Sequence, residues 1–173
     1  MRRPTVKLRA LERGDVDRLY RYANTARVAE HQVSFRLPTS RSDAKAFYER
    51  MRRSQTDRVF SVESSRGRYL GSVGLHDISW LDRTCEFGVV IADPRDWGRG
   101  YAAAAVRAGV AVAFDRLQLH RLEVPVLARN TVARSMYERL GFFPEGILRE
   151  RRFFDGCYED VVVLSLLSSE RDD

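Results

Sequence analysis

The sequence predicts one α/β domain, a mixed and mostly antiparallel sheet flanked by helices, and three observations carry that expectation. The chain has 173 residues with 44% apolar content, enough for one compact core and too little for two, so residues 1–173 read as a single domain. Its elements follow the order β-α-α-β-β-β-α-β-α-β-β. Two tight hairpins, across Arg66-Gly67 and Asp155-Gly156, make successive strands antiparallel instead of repeated βαβ units.

Each element has its own signal. "TVKLRAL" alternates like a strand. Asp15 is placed to cap a helix running to about Ala26, and Ser42 another from Asp43 to about Ser54, with Ala46, Phe47 and Met51 on its apolar face. "VFSVES", "YLGSVGLHDI" and "CEFGVVIA" read as three successive strands, and a long helix runs from the glycines after them to about Leu117. "RLEVPVL" is a strand whose Pro125 calls for an edge, a bulge or a splayed neighbour. Residues 131 to 140 form a helix closed by Gly141. "GILRERRFF" and "CYEDVVVLSLL" pair across Asp155-Gly156.

Composition narrows the class. No stretch reaches the roughly 18 consecutive apolar residues of a spanning helix, and the start "MRRPTVKLRALERGD" lacks the apolar core of a secretory signal, so a soluble, cytoplasmic protein without a membrane partner is expected. Cys85 and Cys157 have neither disulfide-scaffold nor zinc spacing, and read as buried, inert thiols with no metal site. Residues 1 to 58 carry 15 Lys and Arg against 7 Asp and Glu, whereas residues 59 to 173 carry 15 against 17. That basic third fits either polyanionic partners or a solvated arginine-rich surface. No aromatic-interleaved RNA signature accompanies it, so nucleic acid enters only indirectly, through a ribonucleoprotein substrate.

The informative stretch is "ADPRDWGRGYAAAAVRAGVAVAF", residues 92 to 114. Gly98, Gly100 and Ala103 match a dinucleotide-binding pattern, but the insert from Ala92 to Trp97 separates them from the strand and no βαβ repeat surrounds them. The turn itself reads as a phosphate cradle. Glycines without Cβ let the backbone N–H groups from Gly98 to Ala102 approach an anion, the helix starting there adds its positive end, and Arg95 and Arg99 can add charge-assisted hydrogen bonds.

Arg95-x-x-Gly98-x-Gly100, followed by a small-residue helix, resembles the acetyl-CoA motif of the GNAT N-acetyltransferase superfamily. "RNTVARSMYERLGF" is similar to that superfamily's next motif, an Asn opening a helix that carries a Tyr and ends in Gly-Phe. "EGILRERRFFDGCYEDVVVLSLL" resembles the closing hairpin of the branch containing ribosomal-protein-alanine and spermidine N-acetyltransferases. The resemblance runs in order from Val6 to Leu167. It departs at "YAAAAV", where many relatives carry a Thr-Glu pair. It implies the GNAT acyl-CoA N-acyltransferase fold, acetyl-CoA as co-substrate, a bacterial cytoplasmic setting, and an acceptor that is a small amine or a peptide or protein N-terminus. A homodimer is compatible with it.

Acetyl transfer from a thioester to an amine needs a held cofactor, a neutral amine, an oxyanion donor and a proton for the thiolate. The pyrophosphate would sit on the Gly98, Arg99, Gly100, Tyr101 and Ala102 amides, with Arg95 beside them. The pantetheine arm would pair with free backbone at Val89, Val90 and Ile91 like an added strand, and an N–H near Val90 would face the carbonyl oxygen. Asn130 and Tyr137 lie seven apart, sharing one helical face within roughly 20°. Asn130 serves either as N-cap or as cofactor contact, and Ser135 lies on the same helix as a further cofactor candidate. By resemblance Tyr137 is the general acid, and Glu86 the strand carboxylate near the acceptor amine; His76, His31 and water remain alternatives for the base.

The acceptor is shaped by residues 24 to 40 and the closing hairpin. A lysine-like amine is neutral about once in 2,500 molecules at pH 7 and an α-amine about once in ten, so an N-terminal α-amine needs the least apparatus. The basic surplus, including Arg27, Arg36 and Arg41, argues for acidic or neutral acceptors over spermidine unless a local acidic pocket from Glu30, Asp77 or Glu86 overrides it. A non-catalytic module of the same fold, binding acyl-CoA or a polyanion, is the rival reading.

Overall fold

Seven strands form one sheet, from Tyr69–Ser79, buried over six successive residues, to Phe143–Phe154, exposed along most of its length. The computed structural model describes residues 4–34 and 37–171, and Arg36 lies outside them. The strands are β1 (Val6–Ala10), β2 (Arg58–Ser64), β3 (Tyr69–Ser79), β4 (Thr84–Ile91), β5 (Arg121–Leu127), β6 (Phe143–Phe154) and β7 (Cys157–Leu167). They lie in the order β1-β2-β3-β4-β5-β7-β6, and every neighbouring pair is antiparallel except β4 with β5. The Asp155-Gly156 turn takes positive φ at both residues, as a two-residue hairpin requires.

The sheet buries both faces. On one, α4 (Tyr101–Ala111), its π-helical extension Val112–Arg116 and α5 (Thr131–Glu138) cover Val73, Phe87, Leu122, Val124 and Leu164. On the other, α1 (Val16–Ala23), α2 (Ala26–Ala29) and α3 (Arg41–Arg53) enclose Leu19, Tyr22, Val28 and Ala44 and rest on Tyr69, Val90 and Trp97. Among the described residues no helix is long and apolar enough to cross a membrane.

Local expectations shift in three places. Asp15 does not cap α1 through its side chain; it is buried and accepts hydrogen bonds from the Glu12 N–H at 3.1 Å, Arg9 at 2.6 and 2.9 Å, Arg18 at 2.7 Å and Ser61 at 2.8 Å, pinning α1 to β1 and β2. The first helix also breaks after Ala23, so α2 is a separate turn. The α3 cap is Ser40 and not Ser42, because Asp43 closes a reciprocal box with it, Asp43 N to Ser40 Oγ at 3.0 Å and Ser40 N to Asp43 Oδ2 at 2.8 Å. With that phase Ala44, not Ala46, joins Phe47 and Met51 on the inner face. Cys85 is buried and its thiol is pushed up to about 12 by burial, but Cys157 is exposed beside the hairpin turn.

Candidate active site

The sheet opens in the middle. β4 and β5 pair only from Thr84–Arg121 to Glu86–Glu123; beyond that point β5 continues on β7, and Phe87 to Ile91 lose their neighbour on that side. Pro125, which has no N–H to donate, lies just past the split, so of its three expected meanings the splayed neighbour is the one realised.

The antiparallel ladder tells which backbone groups face the opening. Ala92 donates its N–H to Leu70 on the β3 side at 2.9 Å, and the Val90 carbonyl stands 1.8 Å from where a Gly71 Cβ would be. With alternation, Gly88 and Val90 point their backbone polar groups at β3, while Phe87, Val89 and Ile91 turn theirs toward the opening. The expected donor near Val90 therefore belongs to Val89 or Ile91. The Ile91 carbonyl is engaged by the Trp97 indole Nε1 at 3.1 Å.

Tyr137 reaches the same edge from the opposite wall. α5 starts at Asn130, whose Oδ1 accepts from the Ala133 N–H at 3.1 Å, so Asn130 is an N-cap and its carboxamide nitrogen is the part left to meet a ligand. Two turns on, Tyr137 is 4% exposed, packs edge-on against Phe142 at 5.1 Å and receives a hydrogen bond from the Val89 backbone. Burial pushes its phenol well above the usual range, and the Val89 N–H opposes that only in part. Such a phenol stays protonated across the physiological range, the state a proton donor needs. Ser135 is half-buried and sits about 200° around the helix from Tyr137, so it is not brought to that face.

The cradle forms at the head of α4. Gly98 and Gly100 have φ of +72° and +81°, the left-handed region glycine tolerates. Gly100 is the N-cap and offers no side-chain hydrogen bond, which leaves the first amides of α4 at Tyr101 and Ala102 without a helical partner. A Cβ on Gly98 would enter open space, whereas one on Gly100 would meet Pro4 at 3.2 Å, so the open approach lies on the Gly98 side. Arg99 is exposed on this turn. Arg95 is also exposed, but its guanidinium grips Asp93 at 2.6 to 3.1 Å, so any contact with an anion competes with that pair. Sequence reasoning missed the brace beneath: Arg68 on β3's approach forks onto buried Asp96 at 2.7 and 2.8 Å, tying the β2–β3 hairpin to the turn.

At the vertex, Glu86 stands between His76 on β3 and Glu123 on β5. Burial raises its carboxyl above the usual range; Asp77 and Glu123 push the same way, and His76 and Arg151 oppose. His31 packs edge-on against Trp97 at 5.3 Å among Arg27, Arg129 and Arg152, and burial lowers its pKa.

Comparison with known proteins places this arrangement. A model of the acetyltransferase (GNAT) domain matches residues 5–143. A spermidine N(1)-acetyltransferase of Vibrio cholerae is 32% identical over 164 residues, covering 94% of this chain and 93% of that one. A putative ribosomal N-acetyltransferase of Bacillus subtilis is 34% identical over 104 residues, 60% of this chain and 56% of that one. The crystal structure of the Vibrio cholerae spermidine N-acetyltransferase in complex with CoA and spermine superposes with a TM-score of 0.90 at 30% identity, covering 96% of this chain and 97% of that one. The split sheet, the glycine cradle and these matches agree: the chain belongs to the GNAT acetyltransferase family and is an acetyl-CoA-dependent N-acetyltransferase.

Proposed function

We propose that this enzyme acetylates a primary amine of a small polyamine such as spermidine, by direct attack of the neutral amine on the acetyl-CoA thioester. The observation that carries the reading is that Tyr137 meets the free edge of β4 at Val89, while Glu86 stands at the vertex where that edge opens. The pyrophosphate is read onto the Gly98 to Ala102 amides with Arg99, and with Arg95 if it leaves Asp93. The pantetheine is read along the free edge from Val89 to Ile91 and the Asn130 carboxamide. The Val89 or Ile91 N–H faces the carbonyl oxygen, and Tyr137 protonates the leaving thiolate.

The polyamine part rests on the spermidine-acetylating relatives and on local charge. The basic surplus of the first 58 residues had argued against a polycation. That surplus is a net count, which ion pairs inside the segment leave unchanged: Arg9 and Arg18 on Asp15, Arg41 on Asp17 and Arg52 on Glu49 lie within it, and Arg9 on Glu63 reaches outside. Those pairs belong to β1, α1 and α3. The floor at the vertex instead carries Asp57, Glu86 and Glu123, and screening confines distant charge to about 8 Å at physiological salt.

The test compares kcat/KM for spermidine with that for acidic and basic peptides sharing one N-terminal residue, at low and high salt. Spermidine should be preferred, with its advantage shrinking as salt rises. Preference for the acidic peptide would overturn the acceptor assignment.

A further inference from the structure

His76 stands opposite Glu86 in the β3–β4 register, and its Nδ1 lies 2.9 Å from Oδ1 of Asp57. Asp57 is itself fixed: the Ser54 hydroxyl donates to its Oδ2 at 2.7 Å and accepts from its backbone N–H at 2.9 Å. Burial raises the Asp57 carboxyl, but hydrogen bonds from Ser54 and His76 outweigh it and hold the group below the usual carboxylate range. An ionised carboxylate only accepts, so Nδ1 carries the proton and Nε2 keeps its lone pair.

The ring folds back along β3 over Gly74. A Cβ on Gly74 would lie 2.2 Å from Nε2, so glycine at that position leaves the imidazole its place. Gly74 pairs with Gly88, and a Cβ on Gly88 would have no atom within 4 Å. Nε2 thus points into a trough without side chains, one residue from Val89 on the free edge. The charged groups around the ring are Asp57 from the α3–β2 connection and Glu86 from β4; Asp77, Glu123 and Arg151 lie next to Glu86. A cation is drawn to such a site. His31, the other histidine near the opening, has three arginines around it against the single carboxylate of Glu30 at 3.8 Å.

We propose that His76, oriented by Asp57, is the base that takes the proton from the acceptor's ammonium group; this rests on the N-acetyltransferase reading above. An N–H bond of the ammonium breaks, its electron pair stays on nitrogen, and the proton moves to Nε2. The neutral amine then attacks the thioester carbonyl. The second proton, lost by the attacking nitrogen in the tetrahedral intermediate, reaches the departing sulfur by way of Tyr137. The imidazolium returns its proton to water through the exposed part of the side chain, 33% of it, so one proton is released per turnover. Glu86 draws the cation in, and Asp57 is a positioning residue.

The test is kcat/KM for spermidine from pH 6 to 10 in the wild type, His76→Gln and Asp57→Asn, with the acetyl-CoA-induced rise in Tm confirming a folded, cofactor-binding protein. Without the base only pre-formed neutral amine reacts, so the His76→Gln deficit should be about 100-fold at pH 7 and shrink about tenfold per pH unit. Asp57→Asn should show a smaller deficit with the same trend. A deficit constant across pH, or none at pH 7, would overturn the proposal while leaving the acetyltransferase reading intact. A wild type that releases no CoA thiol with any amine at any pH would overturn both.

Discussion

Glu86 and Glu123 form the last cross-strand pair before β4 and β5 separate, two carboxylates side by side at the vertex of the cleft. Burial and this like charge raise the Glu86 carboxyl, an arrangement that destabilises the fold at neutral pH and is relieved by a bound cation. For an acid raised in the folded state, stability is lost as pH rises through its folded value. Glu86→Gln should therefore raise Tm by about 1–2 °C at pH 7 while raising KM for spermidine severalfold. Calorimetry and steady-state kinetics on the same preparation check both signs. A lower Tm with unchanged KM would remove Glu86 from the acceptor site.

Tyr137→Phe deletes one hydroxyl from a ring held by Phe142, itself packed on Phe87, and should leave packing intact. The expected result is a fall in kcat of about 100-fold with the acetyl-CoA Kd unchanged. Titration calorimetry beside turnover separates the two. An unchanged kcat would return Tyr137 to the core.

The Arg68–Asp96 fork braces the cradle from below. Asp96→Asn removes the charge from a buried partner and should loosen the turn, weakening acetyl-CoA binding about tenfold, or about 1.4 kcal/mol, with kcat at saturation unchanged. Gly98→Val, whose side chain would enter the open approach, should abolish the acetyl-CoA-induced Tm shift. Normal binding by Gly98→Val would displace the cradle from this turn.

Asp15 makes a separate, purely structural prediction. Its carboxyl is desolvated, which raises it, yet hydrogen bonds from Arg9, Glu12 N–H, Ser61 and Arg18 hold it far below the usual range. A depressed folded value contributes stability above the unfolded carboxylate pKa of about 3.9, and that contribution is lost as pH falls below it. Asp15→Asn should cost about 3 kcal/mol at pH 7 and flatten the acid limb of stability. Urea titrations from pH 7 to pH 3 measure it.

The features legible in the sequence were those set by local chemistry. The glycines at 98 and 100, Pro125 beside the split and the Asp155-Gly156 turn each announce a backbone state that few other residues adopt. Asn130 was legible only as two alternatives, and the cap was realised. What escaped depends on partners distant in the chain. Asp15 meets Ser61 across 46 residues, Arg68 meets Asp96 across 28, and His76 meets Asp57 across 19. The donor near Val90 was legible only to within a residue, because alternation fixes direction only once the register with β3 is known. The acceptor stayed open for a similar reason: a sum over sequence does not place Asp57, Glu86 and Glu123 around one vertex.

The central claim is acetyl transfer from acetyl-CoA to a small amine at the β4–β5 opening, and the most direct measurement is CoA thiol release with spermidine as acceptor, read beside the mass of the amine product. The account predicts saturable, spermidine-dependent thiol release matched one for one by mono-acetylated spermidine, and its loss in Tyr137→Phe. Tight acetyl-CoA binding with no acceptor-dependent thiol release, across polyamines, peptide N-termini and aminoglycosides, would contradict it.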